Sequence, residues 1–291
     1  MNRGWLRWYG VAILLGLCLV APTRAAEPPT EPLLRLETGM HTAAIWRLAT
    51  DREGRWAVTV SDDKTARVWE VASGRFLQVW RPPQGDGHEG KLFAAALSPD
   101  GTTMALGGWT DEVNSLYLVD RASGRLLHCI AGLPNVVSHL AYSPDGRWLV
   151  ASLGGTNGVR LFDAASGAEV GRAADYGADS YSAHFRADSR RLVTTSFDGQ
   201  VRLYALEAGR LQLLKSTKLT GGERPYFARF SPDGRSLAVG FEDSAVVQVL
   251  DAETLAEVAR PATTGVDNGD LSTVAWSVDG RFLFAAGRWN V

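Results

Sequence analysis

The 291-residue sequence is poor in the residues from which specialised sites are built. Its two cysteines, Cys18 and Cys129, supply neither a disulfide framework nor a cysteine-rich zinc site. Its five histidines, His41, His88, His128, His139 and His184, include no HExxH pair, the spacing that sets two metal ligands on one helix face. There is no excess of positive charge: 30 basic against 32 acidic residues leave a net charge of −2, and nothing releases counterions from a nucleic acid backbone. A GxSxG elbow, a glycine-rich phosphate loop ending in Lys-Ser or Lys-Thr and an EF-hand calcium loop are all missing. No catalytic residue, metal-ligand set or cofactor signature can therefore be assigned. What remains, 45% apolar and 21% charged residues, is the composition of an ordinary globular chain, which excludes a disordered or multi-span membrane protein.

Residues 1–26 read as a secretory signal. Arg3 and Arg7 form a positive end, Trp8 to Val20 an apolar run, and Thr23-Arg24-Ala25 the small-residue approach to a cleavage point. The run of about 13 residues is well short of the roughly 20 needed to span a bilayer as a helix. Cys18 is no lipid-attachment site, because it lies inside the run and follows Leu17, where a small residue is required. Removing the segment deletes Arg3, Arg7 and Arg24 and no acid, so the mature chain is mildly acidic. The expected location is periplasmic or secreted, with no membrane span left, and richness in Ala, Arg, Gly and Leu hints at a bacterial source.

From residue 27 to the end the chain repeats itself. Leu97-Ser98-Pro99-Asp100-Gly101, Tyr142-Ser143-Pro144-Asp145-Gly146, Phe230-Ser231-Pro232-Asp233-Gly234 and Trp276-Ser277-Val278-Asp279-Gly280 are near copies. Thr50-Asp51-Arg52-Glu53-Gly54 and Phe185-Arg186-Ala187-Asp188-Ser189 are weaker ones. The copies end at 54, 101, 146, 189, 234 and 280, a period near 45. Each is a tight turn, in which proline presets φ, aspartate caps through its side chain and glycine accepts φ > 0. Strands flank it, as in Val137–Tyr142 before and Arg147–Ser152 after. A third strand follows (Thr65–Trp69, Gly158–Phe162), then a second turn (Ala72-Ser73-Gly74-Arg75, Ala122-Ser123-Gly124-Arg125, Ala165-Ser166-Gly167-Ala168), then a fourth strand such as Phe76–Trp80.

With this period, unit and turn the sequence resembles the WD-repeat β-propeller family from about residue 33 onwards. The resemblance implies an all-β fold after the signal helix: five complete four-stranded blades and a partial sixth. The family's glycine-histidine pair stands at Gly87-His88 and its histidine alone at His41; its loop aspartate stands at Asp63 and Asp198. The closing Trp-Asp pair is degraded, as Trp69-Glu70, Val119-Asp120, Phe162-Asp163, Tyr204-Ala205 and Leu250-Asp251. Only the first repeat keeps a full structural hydrogen-bond set of His41, Thr59 or Ser61, Asp63 and Trp69. In such folds one terminus often completes the last blade, and Leu33-Leu34-Arg35-Leu36 has that look. Only 11 residues follow Gly280, enough for a second strand over Arg281–Gly287 and no third, so the chain is expected to be a fragment or a truncated product. Similar secreted bacterial proteins continue into further propeller repeats or a caspase-like peptidase domain.

Both short turns of each unit fall on one face, and the long connections fall on the other: Pro82–Lys91, Gly108–Ser115, Gly154–Gly158, Ala173–Ser180, Thr220–Pro225 and Thr263–Leu271. Long loops on a rigid scaffold are where binding residues collect. At the entry of successive innermost strands stand Trp46, Lys91, Asp179 with Tyr181, Arg224 with Tyr226, and Asp270. Exposed aromatics mixed with both signs of charge suit a protein or peptide partner. Asp267-Asn268-Gly269-Asp270 carries carboxylates that could bind a cation, but it reads first as a solvated turn. The expected function is a non-enzymatic scaffold that binds its partner on the long-loop face and needs no cofactor. The alternatives are an enzyme or cofactor-binding propeller with a site dispersed over several blades, or the sensing region of a longer enzyme. The signal reading is checked by N-terminal sequencing of protein from an envelope fraction: the mature chain should begin at Ala26 or Glu27, and an intact Met1 in soluble cytoplasm would refute export.

Overall fold

The computed structural model describes residues 39–110, 114–266 and 269–288. The signal segment, the strand expected at Leu33–Leu36 and the pair Asp267-Asn268 lie outside the described residues. From Gly39 on the chain forms one compact unit without an α-helix among the described residues, and so without a helix long and apolar enough to cross a membrane.

Five sheets are four-stranded antiparallel meanders whose strands neighbour one another in chain order. The first holds β1 Ile45–Thr50, β2 Trp56–Ser61, β3 Ala66–Glu70 and β4 Arg75–Trp80; the second β5 Lys91–Leu97, β6 Thr103–Trp109, β7 Leu116–Asp120 and β8 Leu126–Ile130. The third holds β9 Val137–Tyr142, β10 Trp148–Leu153, β11 Val159–Asp163 and β12 Glu169–Ala173; the fourth β13 Ser180–Phe185, β14 Arg191–Ser196, β15 Gln200–Glu207 and β16 Arg210–Lys218. The fifth holds β17 Pro225–Phe230, β18 Ser236–Phe241, β19 Val247–Asp251 and β20 Glu257–Ala259. Among the described residues the sixth sheet has two strands, β21 Thr273–Trp276 and β22 Leu283–Ala286. This is the expected five-plus-partial arrangement of blades.

The turns work as their residues require. Asp100, Asp145, Asp233 and Asp279 each accept the hydroxyl of the serine two residues earlier, at 2.5–2.6 Å. Each also accepts a backbone N–H two residues on, at 3.0–3.1 Å. The acid of the degraded Trp-Asp pair caps the second turn: Asp120, Asp163 and Asp251 accept the N–H three residues ahead at 2.7–2.9 Å.

Middle strands such as β10 are buried along their whole length, because both faces of each sheet are covered by its neighbours. Five apolar clusters fill the five gaps between successive sheets. Val58, Val60 and Val68 meet Leu92, Met104 and Leu106; Leu116 and Leu118 meet Leu140, Leu149 and Phe162. Val150 and Leu161 meet Phe185, Leu192 and Tyr204; Val193 and Leu203 meet Phe230, Leu237 and Phe241; Phe227 and Val247 meet Leu271 and Val274. Each sheet is thus held by its nearest neighbours, as in other repeat folds.

The tightest hairpin is the two-residue turn between β15 and β16, with Ala208 at φ +48° and Gly209 at φ +79° inside the pair Glu207↔Arg210. Two positive φ values define the type I′ geometry that prefers Asn-Gly, and alanine there is strained. Ala208→Asn should raise unfolding stability by about 0.5–1 kcal/mol, read as a higher urea midpoint at unchanged slope.

Candidate functional site

The innermost strands of the sheets surround a common axis, and near its long-loop end each of the first five carries a break in register. Pairing skips Trp46 in β1, Phe93 in β5, Ser138 in β9, Tyr181 in β13, and Tyr226 with Phe227 in β17. A bulge leaves its residue out of the ladder and re-aims the side chain. All of Trp46, Phe93, Ser138, Tyr181 and Tyr226 line one cavity of about 390 Å³ at the mouth, with Arg47, Asp179, His88 and Trp109. The five positions stand eight residues before the ends of successive repeat turns, so the repeat itself sets the ring.

One side of the mouth is an aromatic stack. Tyr181, Phe197 and Tyr226 form a triangle of rings: Tyr181 stands 4.1 Å from Phe197 and 5.2 Å from Tyr226, each at 28° between planes, and Phe197 and Tyr226 are 6.2 Å apart. The Arg224 guanidinium covers the other end, 4.1 Å from the Phe197 ring centre, and pairs with Glu242 at 3.1 Å. Burial, with the nearby Asp179 carboxylate adding to it, pushes the Tyr181 phenol up to about 12, so it stays a neutral hydrogen-bonding group. On the opposite side Trp46 donates its indole N–H to Asp62 at 2.9 Å and meets Phe93 edge-on at 5.7 Å. Asp62 also receives Lys91 at 3.5 Å. Arg47 crosses beneath the mouth, donating to the carbonyls of Ser138 and Tyr181 and to the Tyr226 hydroxyl at 3.3–3.5 Å.

Of the residues picked out from sequence, Trp46, Asp179, Tyr181 and Tyr226 line the cavity, and Lys91 and Arg224 stand beside it through Asp62 and Phe197. Asp270 is turned inward: it is buried, and its carboxylate accepts the backbone N–H groups of Ser272 and Arg288. Asp179 likewise spends one oxygen on the Gly155 N–H. Phe93, Ser138 and Arg47 are additions that the sequence reading lacked; the phase of the repeat points to the first two.

In the first blade His41, Asp63, Thr59 and Trp69 form one relay. Trp69 donates its indole N–H to Thr59 at 2.8 Å, the Thr59 hydroxyl reaches His41 Nε2 at 2.8 Å, and His41 Nδ1 meets Asp63 at 2.9 Å. Ser61 instead serves the Ala43 carbonyl. The fourth blade, 135 residues on, rebuilds the relay from other letters. Tyr176 replaces His41, and its hydroxyl joins Thr194 at 2.6 Å and Tyr204 at 3.0 Å, while Asp198 binds Arg202 at 2.6 Å. Burial works to raise both aspartates, yet hydrogen bonds overcome it. Those from Thr65, Thr42 and His41 hold Asp63 below the usual carboxylate range, and those from Arg202 and Gly177 do the same for Asp198.

Antiparallel meanders stacked around one axis define a β-propeller. The family profile "WD domain, G-beta repeat" matches residues 33–70 and 124–163. The chain is 26% identical over 202 residues, 69% of its length and 63% of the relative's, to WD repeat-containing protein SL1-17 of Schistosoma mansoni. It is 23% identical over 264 residues, 84% of the chain and 66% of the relative, to a guanine nucleotide-binding protein subunit beta of Oryza sativa subsp. japonica. It is also 24% identical over 274 residues, 86% of the chain but 30% of the relative, to the ribosome biogenesis protein ERB1 of Coccidioides immitis. The matched stretch thus spans less than two thirds of these relatives. The fold is that of a β-propeller, and two stretches of the chain match the WD-repeat profile.

Thr59→Val strands the Trp69 indole and a histidine nitrogen in a buried setting and should cost about 1–3 kcal/mol, read by chemical unfolding. Thr194→Val should do the same in the fourth blade. Because Asp63 and Asp198 titrate lower in the folded than in the unfolded chain, their stabilisation is complete above the unfolded value, about 4, and is lost as pH falls through the folded one. The thermal midpoint should therefore decline below about pH 4, and Asp198→Asn should flatten that decline.

Proposed function

We propose that this chain is a non-enzymatic scaffold that holds a protein or peptide partner at the mouth of its propeller. The observation that carries the reading is the ring of bulged residues, which takes one side chain from each of five blades and points it at one opening. Such a ring matches the composition of interface hot spots, where buried tyrosine, tryptophan and arginine dominate. Tyr181 and Tyr226 are already stacked and lose little freedom on binding, which favours affinity. Lys91, Arg224 and Glu242 form a charged rim around this apolar centre. The relatives support the same reading, since one is by name a subunit of a larger protein and another a participant in ribosome biogenesis. The charge and apolar pattern of residues 1–26 adds that the scaffold acts after export, in a bacterial envelope or outside the cell.

The test is affinity capture from a periplasmic extract, followed by titration of the captured partner against variants. Tyr181→Ala and Arg224→Ala should each weaken binding by about 2 kcal/mol, roughly thirtyfold, with the far-ultraviolet spectrum unchanged. Arg75→Ala and Arg125→Ala, in the short turns of the opposite face, should leave affinity within twofold. The reverse pattern would place the functional surface on the other face.

A further inference from the structure

Below the mouth the axis widens into a second cavity of about 620 Å³, walled by residues from the innermost strands of all six sheets. Its size has a sequence cause. At the repeat-equivalent positions Ala49, Ala96, Ala141, His184, Arg229 and Ala275, four of six side chains are single methyl groups, and all six line the cavity. Its charge is one-sided. The six innermost strands carry Arg47, Lys91, His139, His184 and Arg229 and no aspartate or glutamate.

The two arginines have carbonyls, a phenol and aromatic rings as partners but no carboxylate among the described residues. Arg229 donates to the carbonyl of its own neighbour Ala228 at 3.3 Å and stands 4.5 Å from the Phe227 ring centre; Arg47 stands 4.6 Å from the same ring. The charge felt by Arg229 is that of Arg47, a second cation, and the buried Nε of Arg47 has no hydrogen-bond partner. Burial and then this repulsion press the Arg229 guanidinium down to about 9, still protonated at neutral pH. His139 Nδ1 accepts the Ala183 N–H at 3.4 Å and His184 Nδ1 the Phe230 N–H at 3.1 Å. Each imidazole proton therefore sits on Nε2, adding a donor. A part-buried site lined by donors and positive charge, with no carboxylate among its lining residues, is electrostatically suited to an anion. The remaining walls are mixed: Leu48, Leu140, Phe227 and Val274 are apolar, and Thr50, Tyr142 and Thr273 add hydroxyls; the apolar share gives a hydrocarbon body a surface to lie against.

We propose that this axial cavity binds an organic carboxylate, with its carboxylate on Arg229 and its apolar body against Phe227 and the alanine walls. The planar guanidinium matches a carboxylate bidentately. The site lies below the mouth and shares Trp46 and Arg47 with it, but its occupancy does not depend on the partner reading above.

The test is calorimetric titration of the full chain with benzoate, benzamide and inorganic phosphate at matched ionic strength. Benzoate should bind at least tenfold more tightly than benzamide or phosphate. Arg229→Met should weaken benzoate at least tenfold while its own thermal midpoint stays level or rises, because an unpaired buried cation has been removed. Ala96→Leu keeps both cations but fills the cavity from another blade, and it too should lose benzoate. Equal binding of benzoate and benzamide, phosphate binding as tight as benzoate, no benzoate binding, or full benzoate affinity in both variants would each overturn the proposal.

Discussion

A sheet that is apolar on both faces can bury them only against other sheets, and that requirement organises this molecule. It explains why the second and third strands of each unit are buried almost throughout, their polar residues such as Thr59, Arg67, Thr194 and Gln248 included, and why outer strands such as β12 and β20 are exposed. It also sets what lies at the two ends of the stack. Ile45 and Leu48 of the first sheet are 56% and 63% exposed, and Phe282 and Phe284 beside and within the sixth are 57% and 60% exposed. The apolar clusters, by contrast, each join two successive sheets, so a blade's position is set by its neighbours.

Much of this was legible in the sequence because turns are local. The serine-aspartate-glycine signature encodes a cap and a positive φ within five residues, so strands inferred from it fall within a residue or two of those observed. Val137–Tyr142 coincides with β9, and Arg147–Ser152 differs from β10 by one residue. The bulges were not legible in the same way, since register is a relation between two strands and neither sequence alone contains it. Choosing site residues by their chemistry selected Lys91 and passed over Phe93, although the repeat phase of Trp46, Tyr181 and Tyr226 leads to Phe93. Asp270 was chosen for its charge, and its role in holding its own backbone could not be seen before the fold. The fourth-blade relay escaped because it keeps the positions of the first and changes their letters, with Tyr176 for His41 and Tyr204 for Trp69.

Charge is distributed by the same geometry. Turn N–H groups on the short-turn face are unpaired by the strands, and aspartates gather there to accept them. The innermost strands are sheet edges, and the backbone groups they turn to the axis are met by Arg47, which donates to carbonyls, and by His139 and His184, which accept N–H groups, rather than by carboxylates. The axial arginines are left with aromatic rings and carbonyls for company, and the polar relays of the first and fourth blades sit farther out, between strands, where they pin loops to strands without reaching the axis.

The bulged ring divides the labour between folding and recognition. A residue omitted from ladder pairing contributes little to register, so its identity can change while the blade around it stays as it is. Trp46, Phe93, Ser138, Tyr181 and Tyr226 already show four kinds of side chain at one structural position. The mouth behaves as a five-letter word written on a fixed frame, in which each letter can be exchanged independently and a new binding preference can arise by single substitutions without a new fold.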